Sequence, residues 1–330
     1  MKLAVLGAGA WGTALAIRFA EQHQVVLWCR DADQAASMAA DHANTRYLPG
    51  IPFPANLSVE ADFGKAVAGA DLVLVVTPLS GLRPTLKALR ALDHRAPLLW
   101  ACKGLEAGTM KFPHQVAEEE MPADVPRGML SGPSFAQEVA RGQPAAVTIA
   151  SSDPQFARNT VNALNTSVLR LYASDDLIGV EIGAAVKNVL AIAAGICDGL
   201  NLGLNARAAL LTRGLVEMAR FGAAVGAHQE TFMGLAGIGD LLLTATGDLS
   251  RNRRVGLLLA EGLNLDDVLA NLGHVAEGVP AAREVLKQAH ALGVDMPITE
   301  GVCRVLFENA RVPDVISTLM ERAPRMENGL

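Results

Sequence analysis

The stretch KLAVLGAGAWG, residues 2–12, decides the fold. Its first five residues are a short, β-type apolar run. It then continues as Gly7-Ala8-Gly9-Ala10-Trp11-Gly12, and a helical pattern follows over Trp11–Gln22. Each glycine has a separate use: Gly7 permits the tight turn, Gly9 lets backbone approach a pyrophosphate, and Gly12 allows close helix–strand packing. The helix start adds free N–H groups and partial positive charge for phosphates. The three letters alone would also suit a glycine-rich turn without a ligand. Their placement between strand and helix is what favours a dinucleotide.

The end of the second strand, Val25–Cys29, bears on the choice of dinucleotide. An acidic side chain there bonds a ribose 2′-hydroxyl, whereas an arginine pairs with a 2′-phosphate. This chain carries Arg30 and then Asp31. NADPH is expected as the preferred cofactor, Asp31 leaves NADH open, and the plain alternative is a solvated charge at a strand end.

Working outward, further strands are expected at Leu72–Thr77, Pro97–Cys102, Gly128–Ser131, Ala145–Ala150 and Leu169–Ala173. Several are near-continuous apolar runs, the mark of strands covered on both faces in a parallel sheet. Helical patterns at Leu79–Leu92 and Asp153–Leu164 lie between them. After about Asp175 only helices are expected, at Val180–Gly199, Ala206–Gly226, Arg253–Glu261, Leu265–Leu272, Ala281–Leu292 and Thr299–Phe307. The fold class is therefore α/β: an N-terminal Rossmann-like doubly wound sheet over residues 1–178, followed by an all-helical C-terminal domain over 179–330.

Composition narrows the function. The chain has 330 residues, 51% of them hydrophobic, which excludes disorder as the main state. A net charge of −6 and only 4% aromatics argue against a nucleic-acid partner. Cys29, Cys102, Cys197 and Cys303 are scattered, so neither a disulfide framework nor a zinc site is expected, and no metal is invoked. The N-terminus reads as a strand rather than a targeting segment, which points to the cytoplasm. The apolar stretch Ile182–Cys197 is short for a membrane span and carries Lys187 in its middle. The alanine-rich helical half offers a face for a homodimer.

Lys187 is the most informative residue. Gly183, Ala184, Leu190 and Ala191 line its own helix face with small or apolar groups. Burial there costs several kcal/mol or lowers the amine pKa, by up to ~3–5 units in the extreme. The active reading is a proton donor or acceptor; the plain one is a lysine with a buried stem and a wet head. Lys103, at the end of another strand, would be a second cation if the two meet; the plain alternative is a surface lysine in a turn. Asp240 precedes Thr244 by one helical turn, so the two share a face unless Asp240 is only a cap. Ser134 to Gln137 reads as a capping box at a sheet edge where ligands bind. Ser250-Arg251-Asn252-Arg253-Arg254 places three arginines in a first helical turn, against the macrodipole, and suggests a bound phosphate held with Ser250 as cap; the alternatives are a solvated basic face and a nucleic-acid contact.

These residues resemble a known family. GAGAWG, WACKGLE, SGPSFA, GAAVKN with CDGL, GIGDLLLT and SRNRR occur in the order and spacing of the bacterial NAD(P)-dependent glycerol-3-phosphate dehydrogenases. The resemblance spans roughly residues 1–320. It implies reversible reduction of dihydroxyacetone phosphate to sn-glycerol 3-phosphate, feeding phospholipid synthesis. It implies Lys187 as the catalytic proton acceptor or donor. Lys103, Gly132, Ser134, Lys187, Asp240, Ser250, Arg251 and Asn252 become substrate-binding positions, and Asn188 and Thr244 support them. Gly7, Gly9, Trp11, Gly12, Arg30, Lys103, Ala136, Arg251, Val275 and Glu277 become cofactor-binding positions. Two rivals remain: a dehydrogenase of the same plan for a carboxylated substrate, such as a 3-hydroxyacid or ketopantoate reductase, and a dinucleotide-binding redox sensor without turnover.

Overall fold

The structure is a computed structural model and describes residues 1–272 and 276–323. The chain divides into two compact units. One comprises Met1–Lys103 and Phe112–Leu177; the other comprises Gly104–Lys111 and the chain from Ile178 on.

The first unit begins β1 (Lys2–Leu6), α1 (Ala10–Phe19), β2 (Gln24–Trp28), α2 (Ala32–Asp41), β3 (Leu57–Glu60), α3 (Phe63–Val67) and β4 (Leu72–Val75). It continues α4 (Leu82–Ala91), β5 (Leu98–Trp100), α5 (Pro113–Glu120), β6 (Arg127–Ser131), α6 (Ala136–Ala140), β7 (Ala145–Ala150), α7 (Pro154–Leu164) and β8 (Leu169–Ser174). All strands join one sheet in the order β3-β2-β1-β4-β5-β6-β7-β8. β1 pairs in parallel with both β2 and β4. The order reverses between β1 and β4, and such a switch point opens a crevice at the carboxyl ends of the strands. β4 and β5 are buried along their full length, which explains their unbroken apolar sequences.

Two features differ from the sequence expectation. β6 and β7 pair antiparallel, with Met129 opposite Ala150, so β7 and β8 run against the other six strands. A continuous apolar run reports that both faces are covered; it carries no information on direction. β3 was not expected at all. Its sequence LSVE buries only Leu57 at the sheet edge, so no apolar run marks it.

The second unit contains α8 (Leu177–Gly199), α9 (Leu204–Ala224), α10 (Gln229–Phe232), a wide π-type turn at Leu235–Gly239, α11 (Asp240–Thr246) and α12 (Arg251–Ala260). α13 (Leu265–Leu272), α14 (Gly278–Ala291), α15 (Pro297–Phe307) and α16 (Val312–Met320) follow, and no strand occurs among its described residues. α8 is the core of this unit, with residues 179–197 all buried. At 23 residues it is longer than the apolar stretch suggested, and long and apolar enough to cross a bilayer. However, 94% of its most apolar window is buried inside the protein, as in a core helix.

Candidate active site

The β1–α1 turn separates the three glycines by role. Gly7 has φ +124°, and a Cβ there would lie 2.7 Å from the Val76 carbonyl oxygen beyond β4. At Gly12 a Cβ would overlap the Gly7 carbonyl. At Gly9, the residue preceding α1, it would meet nothing within 4 Å, and no side chain caps the helix. The turn is thus packed behind Gly7 and Gly12 and open at Gly9, with unspent helix N–H groups; these residues fit a pyrophosphate. Trp11 is half-buried beside it. Sequence reasoning missed Asn44, which is wholly buried. Its Nδ2 donates to the Ala8 carbonyl at 3.0 Å and to Thr13 Oγ1 at 2.8 Å, tying the turn to the start of α1. A lone Asn in a loop gives no local signal of such a reach.

At the end of β2, Arg30 is exposed, and no hydrogen bond or ion pair engages it among the described residues. Asp31 caps α2, its Oδ1 accepting from the N–H groups of Asp33 and Gln34, each at 3.1 Å. The two neighbours therefore differ in availability to a ribose.

Two more loops leave the same edge of the parallel strands. Half-buried Lys103 follows β5, next to Cys102, whose Sγ donates to the Thr77 carbonyl at 3.1 Å. After β6, buried Gly132 has φ +147°, and a Cβ there would lie 2.9 Å from Val147 Cα. Ser134 does not form the expected capping box. α6 starts later, Phe135 occupies the cap position without a side-chain bond, and Ser134 Oγ turns back to donate to the Gly132 carbonyl at 2.9 Å. Ala136 is the first residue of α6.

In the helical unit, Lys187 lies within α8 and is 6% exposed. Its Nζ donates to Asp240 Oδ1 at 2.7 Å and to Thr244 Oγ1 at 2.8 Å. Asp240, only 2% exposed, is the first residue of α11 rather than its cap, and shares a face with Thr244 as the spacing predicts. Gly183, one turn before Lys187, makes the pairing reachable: a Cβ there would overlap the Ala236 carbonyl, so α8 lies directly on the backbone leading to Asp240. Burial of the amine is thus offset by a counter-ion and a hydroxyl rather than by escape to water.

Next to Lys187, Asn188 Oδ1 accepts from Asn252 Nδ2 at 2.8 Å, and Asn252 Oδ1 accepts from the Gly278 N–H at 2.9 Å. This chain of amides links α8, α12 and the start of α14, where half-buried Glu277 sits. Val275 lies outside the described residues. Ser250 caps α12 as expected, accepting from the Arg253 N–H at 3.2 Å. The three arginines do not act alike. Arg253 is an internal ion-pair partner, with Asp198 at 2.7 Å and Asp248 at 3.1 Å, which the macrodipole argument did not foresee. Arg251 and Arg254 are exposed and unengaged among the described residues.

The family models described as NAD-dependent glycerol-3-phosphate dehydrogenase N-terminus and C-terminus match residues 2–157 and 176–317. The chain belongs to the NAD-dependent glycerol-3-phosphate dehydrogenase family. Curated members of this family agree along the whole length. Glycerol-3-phosphate dehydrogenase [NAD(P)+] of Aromatoleum aromaticum is 57% identical over 99% of this chain and 100% of its own. The protein of the same name from Dechloromonas aromatica is 56% identical over 99% of each. Among solved structures, glycerol-3-phosphate dehydrogenase from Coxiella burnetii superposes with a TM-score of 0.93 at 41% identity, covering 97% of this chain and 99% of that one.

Proposed function

We propose that this chain catalyses the reversible, NAD(P)H-dependent reduction of dihydroxyacetone phosphate to sn-glycerol 3-phosphate, in the cytoplasm and in the service of glycerophospholipid synthesis. The observation that carries the chemistry is the buried ammonium of Lys187, held by Asp240 and Thr244. A low-dielectric setting makes such a cation a strong stabiliser of a developing alkoxide. Lys187 donates a hydrogen bond to the substrate carbonyl oxygen and passes it a proton as the carbon is reduced; in the oxidising direction it takes the proton from the hydroxyl. Asp240 and Thr244 fix the direction of Nζ. Arg251, with Asn252 and the Ser250-capped helix start, takes the phosphate, and Lys103, Gly132 and Ser134 are further substrate positions.

The nicotinamide dinucleotide supplies or accepts the hydride. Gly7, Gly9, Trp11 and Gly12 are proposed to hold its pyrophosphate side, with Ala136, Val275 and Glu277 as further contacts and Lys103 and Arg251 shared with the substrate. NADPH is the proposed preference, because Arg30 is free for a 2′-phosphate while Asp31 Oδ1 is spent on capping α2. Residues 1–178 are the proposed dinucleotide domain, and 179–330 the substrate domain. A homodimer through the helical unit suits exposed Leu204 and Met320, at 73% and 79%, and sedimentation measures it.

Purified protein mixed with dihydroxyacetone phosphate and either NADPH or NADH tests the reading through loss of nicotinamide absorbance. Turnover on this ketone, faster with NADPH, is expected. Turnover on carboxylated 2-oxo acids instead would replace the substrate assignment. Dinucleotide binding without any turnover would make the chain a sensor.

A further inference from the structure

α8 and α12 cross with their backbones in contact. A Cβ on Gly195 would overlap the Arg253 carbonyl, and one on Gly256 would overlap the Ile192 carbonyl. No side chain can stand between them at this point, so rotation of α12 about the crossing must be limited by something else. Two consecutive residues of its first turn supply that limit. Asn252 reaches Asn188 at 2.8 Å, whereas Arg253 reaches Asp198, with Nε at 2.9 Å and Nη2 at 2.7 Å from Oδ2. Asn188 and Asp198 lie about 15 Å apart along α8 at its 1.5 Å rise per residue. The first turn of α12 is therefore braced at two widely separated points of one helix.

The Asp198 brace is the stronger ionic one. The Asp198 and Arg253 side chains are 16% and 15% exposed, while Asp248, the other carboxylate on Arg253, is 97% exposed and screened by water. Arg207 of α9 holds the same Asp198 carboxylate, at 3.2 Å from each oxygen. Arg251 immediately precedes the braced pair and is itself unengaged among the described residues.

We infer that Asp198 is a positioning residue for the phosphate end of the substrate, acting through Arg253 on the placement of Arg251 relative to Lys187. This rests on the proposed function. α8 carries the amine that meets the carbonyl, and the start of α12 carries the guanidinium that meets the phosphate. Their separation must match one small molecule, and the Asp198–Arg253 pair sets the angle from which that separation follows. Of the three arginines in the run, Arg251 is thus the ligand and Arg253 the brace, while Arg254 is exposed.

The test is steady-state kinetics on two substrates, dihydroxyacetone phosphate and unphosphorylated dihydroxyacetone, for Asp198→Asn, Asp198→Glu and Arg207→Leu. Asp198→Asn should lower kcat/KM on the phosphorylated ketone roughly ten- to hundredfold, mainly through KM, and leave the unphosphorylated one little changed. Asp198→Glu should restore part of the loss. Arg207→Leu removes the hold of α9 on the same carboxylate and should leave the ratio of the two substrates unchanged. Equal losses on both substrates, or no loss on either, overturn the inference, since a merely structural role would not distinguish them. Should Asp198→Asn fail to fold, Arg253→Lys keeps the charge but loses the double contact, and the same ratio decides. A parent protein inactive on dihydroxyacetone phosphate would instead remove the functional reading beneath it.

Discussion

Replacing Asp240 with Leu strands the Lys187 ammonium in the core of the helical unit. The two side chains are 3% and 7% exposed, so water cannot reach in to replace the lost carboxylate. Removing one partner of a buried pair costs about 3–5 kcal/mol. Thr244 Oγ1 remains 2.8 Å from Nζ but brings no charge, which keeps the expected loss within that range. For a unit of this size the loss corresponds to a Tm lower by roughly 6–20 °C. The companion variant Lys187→Met with Asp240→Leu removes both charges and fills similar volume. It should recover most of the stability, because burying neither ion is often neutral or better. Guanidinium unfolding followed by circular dichroism measures all four corners of the cycle. A single substitution costing under about 1 kcal/mol, or a double variant as unstable as the two single losses summed, would show that the two groups are not coupled in a dry site.

Other outcomes follow from single groups. Arg30→Ala should raise KM for NADPH about 10–100-fold, the worth of charged hydrogen bonds to one phosphate, and leave KM for NADH nearly unchanged; equal effects on both would remove Arg30 from cofactor choice. Gly183→Ala should separate α8 from the Ala236 backbone and disturb the Lys187–Asp240 contact, giving a folded but less stable protein with lower kcat. Parent-like kcat there would show that the approach is not needed. Glu217 in α9 is buried, and burial pushes its carboxyl up to about 7 against the pull of the Ile298 and Thr299 donors. A carboxyl that holds its proton more tightly when folded stabilises the protein below its ordinary value, and that contribution is lost as pH rises through about 7. Unfolding free energies from urea titrations should therefore fall for the parent between about pH 4.5 and pH 7 by on the order of 3 kcal/mol relative to Glu217→Gln. Parallel pH profiles would contradict this.

The sheet was legible where its strands are covered on both faces. β1, β4 and β5 announce themselves as unbroken apolar runs, whereas β3 at the edge buries one residue of four and is silent. The antiparallel turn at β7 is invisible because direction leaves no trace in hydropathy. The site was legible where function forces a residue into the wrong surroundings. A lysine on an alanine face is such a case, and so is an Asp one turn from a Thr. Ser134 and Asp31 misled locally, because more than one backbone group lies within reach: Ser134 donates to Gly132 two residues back instead of capping a helix, and Asp31 caps α2. Where a side chain satisfies partners distant in sequence, the letters are silent, and Arg253 pairs with Asp198 rather than an anion. Asn44 was missed for the same reason, since its partners Ala8 and Thr13 lie far back along the chain.

The measurement that bears most directly on the chemistry is turnover by Lys187→Ala, with folding checked by circular dichroism and dinucleotide affinity by titration. Loss of the proton donor should lower kcat about a hundred- to ten-thousandfold while NADPH still binds at the β1–α1 turn. A folded Lys187→Ala protein that reduces dihydroxyacetone phosphate at close to the parent rate would contradict the account.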